Sequence, residues 1–121
     1  MSMEKLREFG AYVKARELFD LAVEDIKLLQ ANTDTFKLRS QQIASVDSIC
    51  SNMEEGAGRW STREFVQYLV ISRGSTAESM GRYERMKHWL PEDTVKDRVD
   101  RCNEILAILT ATISKLRGKS G

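Results

Sequence analysis

The sequence predicts an all-α protein, an antiparallel up-down-up-down bundle of four helices. Three observations predict it. Pro91 is the one proline in 121 residues, and no stretch sustains the alternation of a strand. Apolar and small residues recur instead at helical spacings of three and four. The connections between these periodic segments are short, which forces neighbouring helices to run antiparallel. The chain reads as one domain over 1–121, with helices at about 5–30, 35–55, 62–90 and 92–117.

The first helix carries Tyr12, Ala15, Phe19, Ala22, Ile26 and Leu29 on one stripe. The connector QANTDT follows, with Thr33 or Asp34 able to cap the next helix. The second helix is less regular, but Leu38, Ile43, Val46, Ile49, Cys50 and Met53 suit a buried face. The third carries Phe65, Leu69, Ser72, Thr76, Ser79, Tyr83, Met86 and Leu90. The fourth opens at LPED, where Pro91 suits a first turn and Glu92 and Asp93 complement the helix dipole. Its seam, Val95, Val99, Cys102, Leu106, Leu109, Ile113 and Leu116, is spaced 4, 3, 4, 3, 4, 3, an a/d pattern held over about three heptads.

Composition narrows the function classes. The chain is 41% hydrophobic and 31% charged, as in a globular protein. A formal net charge of +1 does not by itself announce a nucleic-acid binder. No apolar run approaches the ~20 residues that cross a bilayer, so no membrane is expected. The start, MSMEKLREFG, lacks a signal-peptide core, and a cytoplasmic location is expected. Cys50 and Cys102 are too few and too isolated for a disulfide framework or zinc site and read as small buried hydrophobes. His88 is the single histidine, with no Glu three residues before it, so a bundle di-metal site is excluded. GAGR lacks the Lys and Ser/Thr of a P-loop. No cofactor is expected.

The stretch SNMEEGAGRWSTREF, Ser51 to Phe65, reads as a helix stop, a corner and a capped restart. Gly56 is placed to close the second helix in a left-handed conformation. Ser61 and Glu64 form a capping box, and Trp60 and Phe65 are placed as a hydrophobic staple. Ser48, Asn52 and Glu55 fall on one face of the second helix. They are expected to tie the corner, with Gly56, to a facing helix rather than to act as an acid/base site, because no nucleophile or second base stands beside them. Arg59 is expected to pair with Glu55.

SNMEEGAGR, then STREF, then RGSTAES resembles the four-helix-bundle proteins encoded in 23S ribosomal RNA intervening sequences. The matching positions are Ser51, Asn52, Met53, Glu55, Gly56, Arg59, Glu64, Phe65, Gly74, Ser75 and Glu78, with YVKARELF resembling the family's first-helix motif at Lys14, Ala15, Arg16, Glu17 and Leu18. The resemblance implies a bundle that assembles into a barrel-like homopentamer. It also implies kinship with accessory proteins of diversity-generating retroelements, which bind reverse transcriptase and nucleic acid. Ile43 and Ala44, with Asp47 nearby, stand where the family often carries an Arg-Arg pair.

Two surface features remain. Val66, Val70, Gly74, Ala77 and Gly81 form a small apolar stripe about half a turn from the third helix's core seam. Glycine inside a helix costs about 0.5–1 kcal/mol against alanine, so the stripe is read as an oligomer interface. Arg59, Arg63, Arg73, Arg82, Arg85 and Lys87 concentrate positive charge along the same helix, and Lys115, Arg117 and Lys119 add a basic tail. The bland reading is a solvated face paired with Glu64, Glu78 and Glu84. The functional reading is an RNA- or DNA-binding surface that an oligomer repeats. The function expected is therefore a non-enzymatic accessory protein that binds itself and nucleic acid, and works beside a reverse transcriptase or an RNA-processing partner. The alternative is a scaffold that recognises protein alone.

Overall fold

A computed structural model describes residues 1–120, with side chains described through residue 118, so the Lys119 side chain lies outside the described residues. Helices α1 (Met3–Glu8), α2 (Gly10–Leu29), α3 (Phe36–Ala57), α4 (Thr62–Arg85) and α5 (Glu92–Ser120) are joined by 3-10 turns at Thr33–Thr35 and Met86–His88. The described residues contain no strand. None of their helices is long and apolar enough to cross a membrane.

The first expected helix is divided. Ser2 caps α1 by accepting from the Lys5 N–H at 3.1 Å, and Phe9 then leaves the helical region (φ −68°, ψ 122°) before α2 starts at Gly10. The break lets α1 fold back on α2 and α3 and bury Leu6 there. The next connector also differs from expectation. Neither Thr33 nor Asp34 caps α3. Thr35 is the N-cap residue, and its hydroxyl donates backwards, to the carbonyls of Leu29 (2.8 Å) and Asn32 (2.7 Å). Pro91 lies just ahead of α5, its carbonyl accepting from the Val95 N–H at 3.1 Å.

Helix α2 packs on α3 and α5, and α4 packs on the same two. The eight seam residues expected on the third helix, from Phe65 to Leu90, are all buried. On α5 the buried face is wider than a two-position seam. Ile105 is fully buried beside Cys102, Leu109 and Ile113, and Leu106 is half-buried, because α5 meets both α2 and α4. Cys50 and Cys102 are buried, and desolvation pushes both thiols up to about 12.

Two polar devices position the helices. Along α3 and α4, Gln42 donates to the Ser79 carbonyl (3.0 Å), the Ser45 and Ser79 hydroxyls meet at 2.8 Å, those of Ser48 and Ser75 at 2.9 Å, and Ser72 donates to the Ile49 carbonyl (2.9 Å). Residue numbers rise on α3 as they fall on α4, so this pair is antiparallel. Short hydroxyl side chains let the helices approach while satisfying buried polar groups. At the far end, buried Asp25 of α2 accepts from the Tyr83 hydroxyl of α4 (2.8 Å). It also accepts from Nε (2.8 Å) and Nη2 (3.0 Å) of Arg98 on α5. Burial, reinforced by Asp25, pushes the Tyr83 hydroxyl well above its ordinary range. The hydrogen bonds that Arg98 donates to Asp25 hold its guanidinium charged. This clamp ties three helices together where α2 and α4 end and α5 begins.

Candidate nucleic-acid interface

The corner between α3 and α4 is built from both sides. Gly56 does not cap the helix. It lies inside α3, no described residue has a positive φ, and Gly58 ends the helix at φ −78°. Its role is steric. A Cβ at Gly56 would stand 2.8 Å from Cβ of Tyr68 and 3.1 Å from the Phe65 ring, so the glycine lets α4 cross close to α3. Ser61 caps α4 as expected, accepting from the Glu64 N–H at 3.1 Å, while its hydroxyl donates to the Glu64 carboxylate at 3.2 Å. The expected staple is not formed: Phe65 is buried, but Trp60 is fully exposed. The corner turns the indole outward before α4 begins.

Arg59 locks this corner. Its guanidinium donates to Glu55 (2.6 Å) and to the Tyr68 hydroxyl (2.8 Å) and lies 5.2 Å from the Tyr68 ring centroid. The Tyr68 oxygen foremost, then Glu55, raise its affinity for the proton. Asn52 is half-buried and donates to the carbonyl (2.8 Å) and hydroxyl (2.9 Å) of Ser48. Ser48 in turn meets Ser75 on α4. The expected tie from Asn52 and Glu55 to a facing helix is therefore indirect. Asn52 acts through Ser48, and the exposed Glu55 acts through Arg59 and Tyr68.

The six cations expected along the third helix divide sharply. Arg82 is buried, with 5% of its surface exposed, and belongs to the interior. Its Nη1 donates to Gln42 and to Ser45 (2.8 Å each), and its Nη2 to Glu78 (2.9 Å). It cannot reach a surface ligand, which corrects its assignment. Arg59 is spent on the corner. Arg63, Arg85 and Lys87 are exposed and Arg73 half-buried. None of these four forms an ion pair among the described residues. The bland reading holds for the other two members of the set, since Arg59 faces Glu64 (3.9 Å) and Arg82 is held by Glu78 (2.9 Å). Lys87 stands apart from the rest. It borders an open groove of about 1200 Å³ between α4 and α5, beside Glu84, Glu92 and Asp93.

The apolar stripe also divides. Val66 is buried in the core and leaves the stripe. Val70 is half-buried against the core, Gly74 and Ala77 are exposed, and Gly81 is half-buried. A Cβ at Gly74 would meet nothing within 4 Å, so nothing inside the described chain requires glycine there. Ile71, three residues before Gly74 on α4, is 48% exposed and was not singled out in the sequence. Sequence reasoning also missed Tyr68 as the partner of Arg59, and the Asp25–Tyr83–Arg98 clamp. Residues 58 and 73 positions apart leave no local signal for the latter.

The family model for 23S rRNA-intervening sequence protein matches residues 7–111. The fold is similar to a crystal structure described as a protein with unknown function from the S23 ribosomal protein family, from Bacteroides thetaiotaomicron VPI-5482. The likeness has 21% sequence identity and a TM-score of 0.79, and covers 85% of this chain and 97% of that one. At that identity the likeness is one of fold. No curated protein matches the chain. The family model spans α2, α3 and α4 whole and most of α5, and the chain belongs to the 23S rRNA-intervening sequence protein family.

Proposed function

We propose that the protein is a non-enzymatic, nucleic-acid-associated accessory protein. Its subunit is an up-down-up-down four-helix bundle that assembles into a ring-like homo-oligomer, a pentamer. The observation that carries the nucleic-acid reading is the set of cations on α4 without carboxylate partners, Arg63, Arg73 and Arg85. A guanidinium already held by a carboxylate gains little from a phosphate, whereas a free one gains a charge-assisted bond and releases counterion. Arg63 and Arg85 are 22 residues apart, about 33 Å along a helix at 1.5 Å per residue, so one subunit offers scattered cations rather than a patch. Repetition around a ring makes their phosphate bonds sum. The family's name, which refers to the 23S rRNA intervening sequence, agrees with an RNA-related role. A reverse transcriptase or an RNA-processing enzyme is the kind of partner such a protein would assist.

Anisotropy titration with labelled RNA and DNA of mixed sequence tests the reading. Binding is expected at low salt and weakens steeply as salt rises. Arg63→Glu and Arg85→Glu each weaken it without altering the mass measured by light scattering. If neither single strands nor duplexes bind at low salt, the reading fails.

The second reading, a protein-only scaffold, is favoured by the net charge of only +1 and by Ile43 and Ala44 standing in place of an Arg-Arg pair, and it shares with the first the exposed face at Gly74 and Ala77. Both readings need that face for self-association. Gly74→Leu is expected to weaken assembly more than helicity, and a stable monomer at micromolar concentration would contradict the ring.

A further inference from the structure

Trp60 is the least explained side chain in the molecule. It is fully exposed, and its indole makes no ring contact or hydrogen bond among the described residues. Burying a tryptophan is among the larger single gains a fold can make. Here the spacing for a staple onto Phe65 is present and unused. The backbone that carries it is nevertheless fixed on both sides. Arg59 is clamped between Glu55 and Tyr68, and Ser61 is bonded into the first turn of α4. The corner is hydrogen-bonded on both sides of Trp60, and the ring projecting from it is fully exposed.

The surrounding charges say what such a ring can take. Glu54, Glu55 and Glu64 line a hollow on one side of Trp60. Arg59 faces Glu55 (2.6 Å) and Glu64 (3.9 Å), and Glu54 accepts from the Tyr12 hydroxyl (2.7 Å), so this side of the ring is acidic and a phosphate must lie away from it. Arg63, three residues beyond Trp60, is exposed and unpaired. A flat apolar face with a free guanidinium three residues along the chain matches a nucleotide with an unpaired base, the base stacking on the ring and its phosphate meeting the cation. A duplex keeps its bases stacked on one another and cannot use the ring.

We propose that Trp60 is a stacking platform for single-stranded nucleic acid, with Arg63 as its phosphate contact. The proposal rests on the nucleic-acid reading and names the form of ligand that reading leaves open. It assigns the corner a preference for unpaired over paired strands with little regard for sequence, since every base has a stacking face.

The test uses the full chain carrying Trp89→Phe, so that Trp60 is the remaining indole, titrated with oligo-dT, oligo-U and a duplex of equal length. Both single strands are expected to quench Trp60 fluorescence, and the duplex is not. In the unaltered background, anisotropy should show Trp60→Ala losing roughly 5- to 150-fold in single-strand affinity, with duplex affinity unchanged. Trp60→Phe should recover most of the loss and Trp60→Leu should not, because stacking needs a ring. Arg63→Gln should lower the salt dependence of single-strand binding. If single strands bind with unchanged Trp60 fluorescence and Trp60→Ala binds like the parent, the platform is refuted while the nucleic-acid reading stands. If nothing binds, both fall.

Discussion

The two faces of α4 put the same residue types to opposite uses. On the inner face Arg82 is buried, and its two terminal nitrogens are bonded to Gln42, Ser45 and Glu78. One turn on, toward the outer face, Arg85 is exposed and forms no ion pair among the described residues. Where α3 and α4 meet, Gly56 is required, because a Cβ there would collide with Tyr68. On the outer face Gly74 stands in open space. The inner residues are explained by the subunit alone. The outer ones are not, and the difference separates residues that build this fold from residues that the fold of the subunit does not require.

Substitutions across this divide should scale accordingly. Arg82→Ala removes a charged donor from two buried acceptors, Gln42 and Ser45, and should cost about 2–4 kcal/mol in chemical denaturation. Its counterpart Arg85→Ala should stay within about 0.5 kcal/mol. Equal costs would break the comparison. Gly56→Ala should cost about 1–3 kcal/mol, since Cβ of Tyr68 is a helix-anchored atom that cannot swing aside. Asn52→Ala should cost less, about 0.5–1.5 kcal/mol, because its bonds run to Ser48 within its own helix. A smaller effect of opposite sign is expected at Gly74→Ala, a gain of about 0.5–1 kcal/mol in the stability of the isolated subunit. A decrease in stability there would mean that the outer face is covered within the subunit.

Much of the fold is legible in the sequence. The eight-residue seam from Phe65 to Leu90, along α4 and the turn after it, is readable because burial there follows a period of three and four, which the chain carries locally. What escapes depends on distant residues. Arg82 and Arg85 both border that seam, and whether a border position is covered is decided by Gln42, 40 residues away. Val66 beside Phe65 is the same case. Gly56 reads as a helix stop because glycine serves both for unusual backbone conformations and for close approach, and Tyr68 across the corner selects the second. The break at Phe9 lacks a proline, and the staple at Trp60 has correct spacing but an outward turn. The candidate site is legible in type rather than in extent. Arg63, Arg73 and Arg85 stand as free cations, Arg59 and Arg82 are internal fasteners, and Trp60 reads from the sequence as part of the scaffold.

The claim that the outer face of α4 waits for phosphate is tested most directly by the salt dependence of nucleic-acid affinity. Single-strand affinity is measured by anisotropy across a range of salt for the parent and for the Arg63→Gln/Arg85→Gln variant. The parent should give a steep linear fall in log affinity against log salt. The variant should give a shallower one, by roughly 0.7 for each single-strand phosphate that an arginine no longer neutralises. Parallel lines for the two proteins, or no measurable affinity at the lowest salt, would contradict the account.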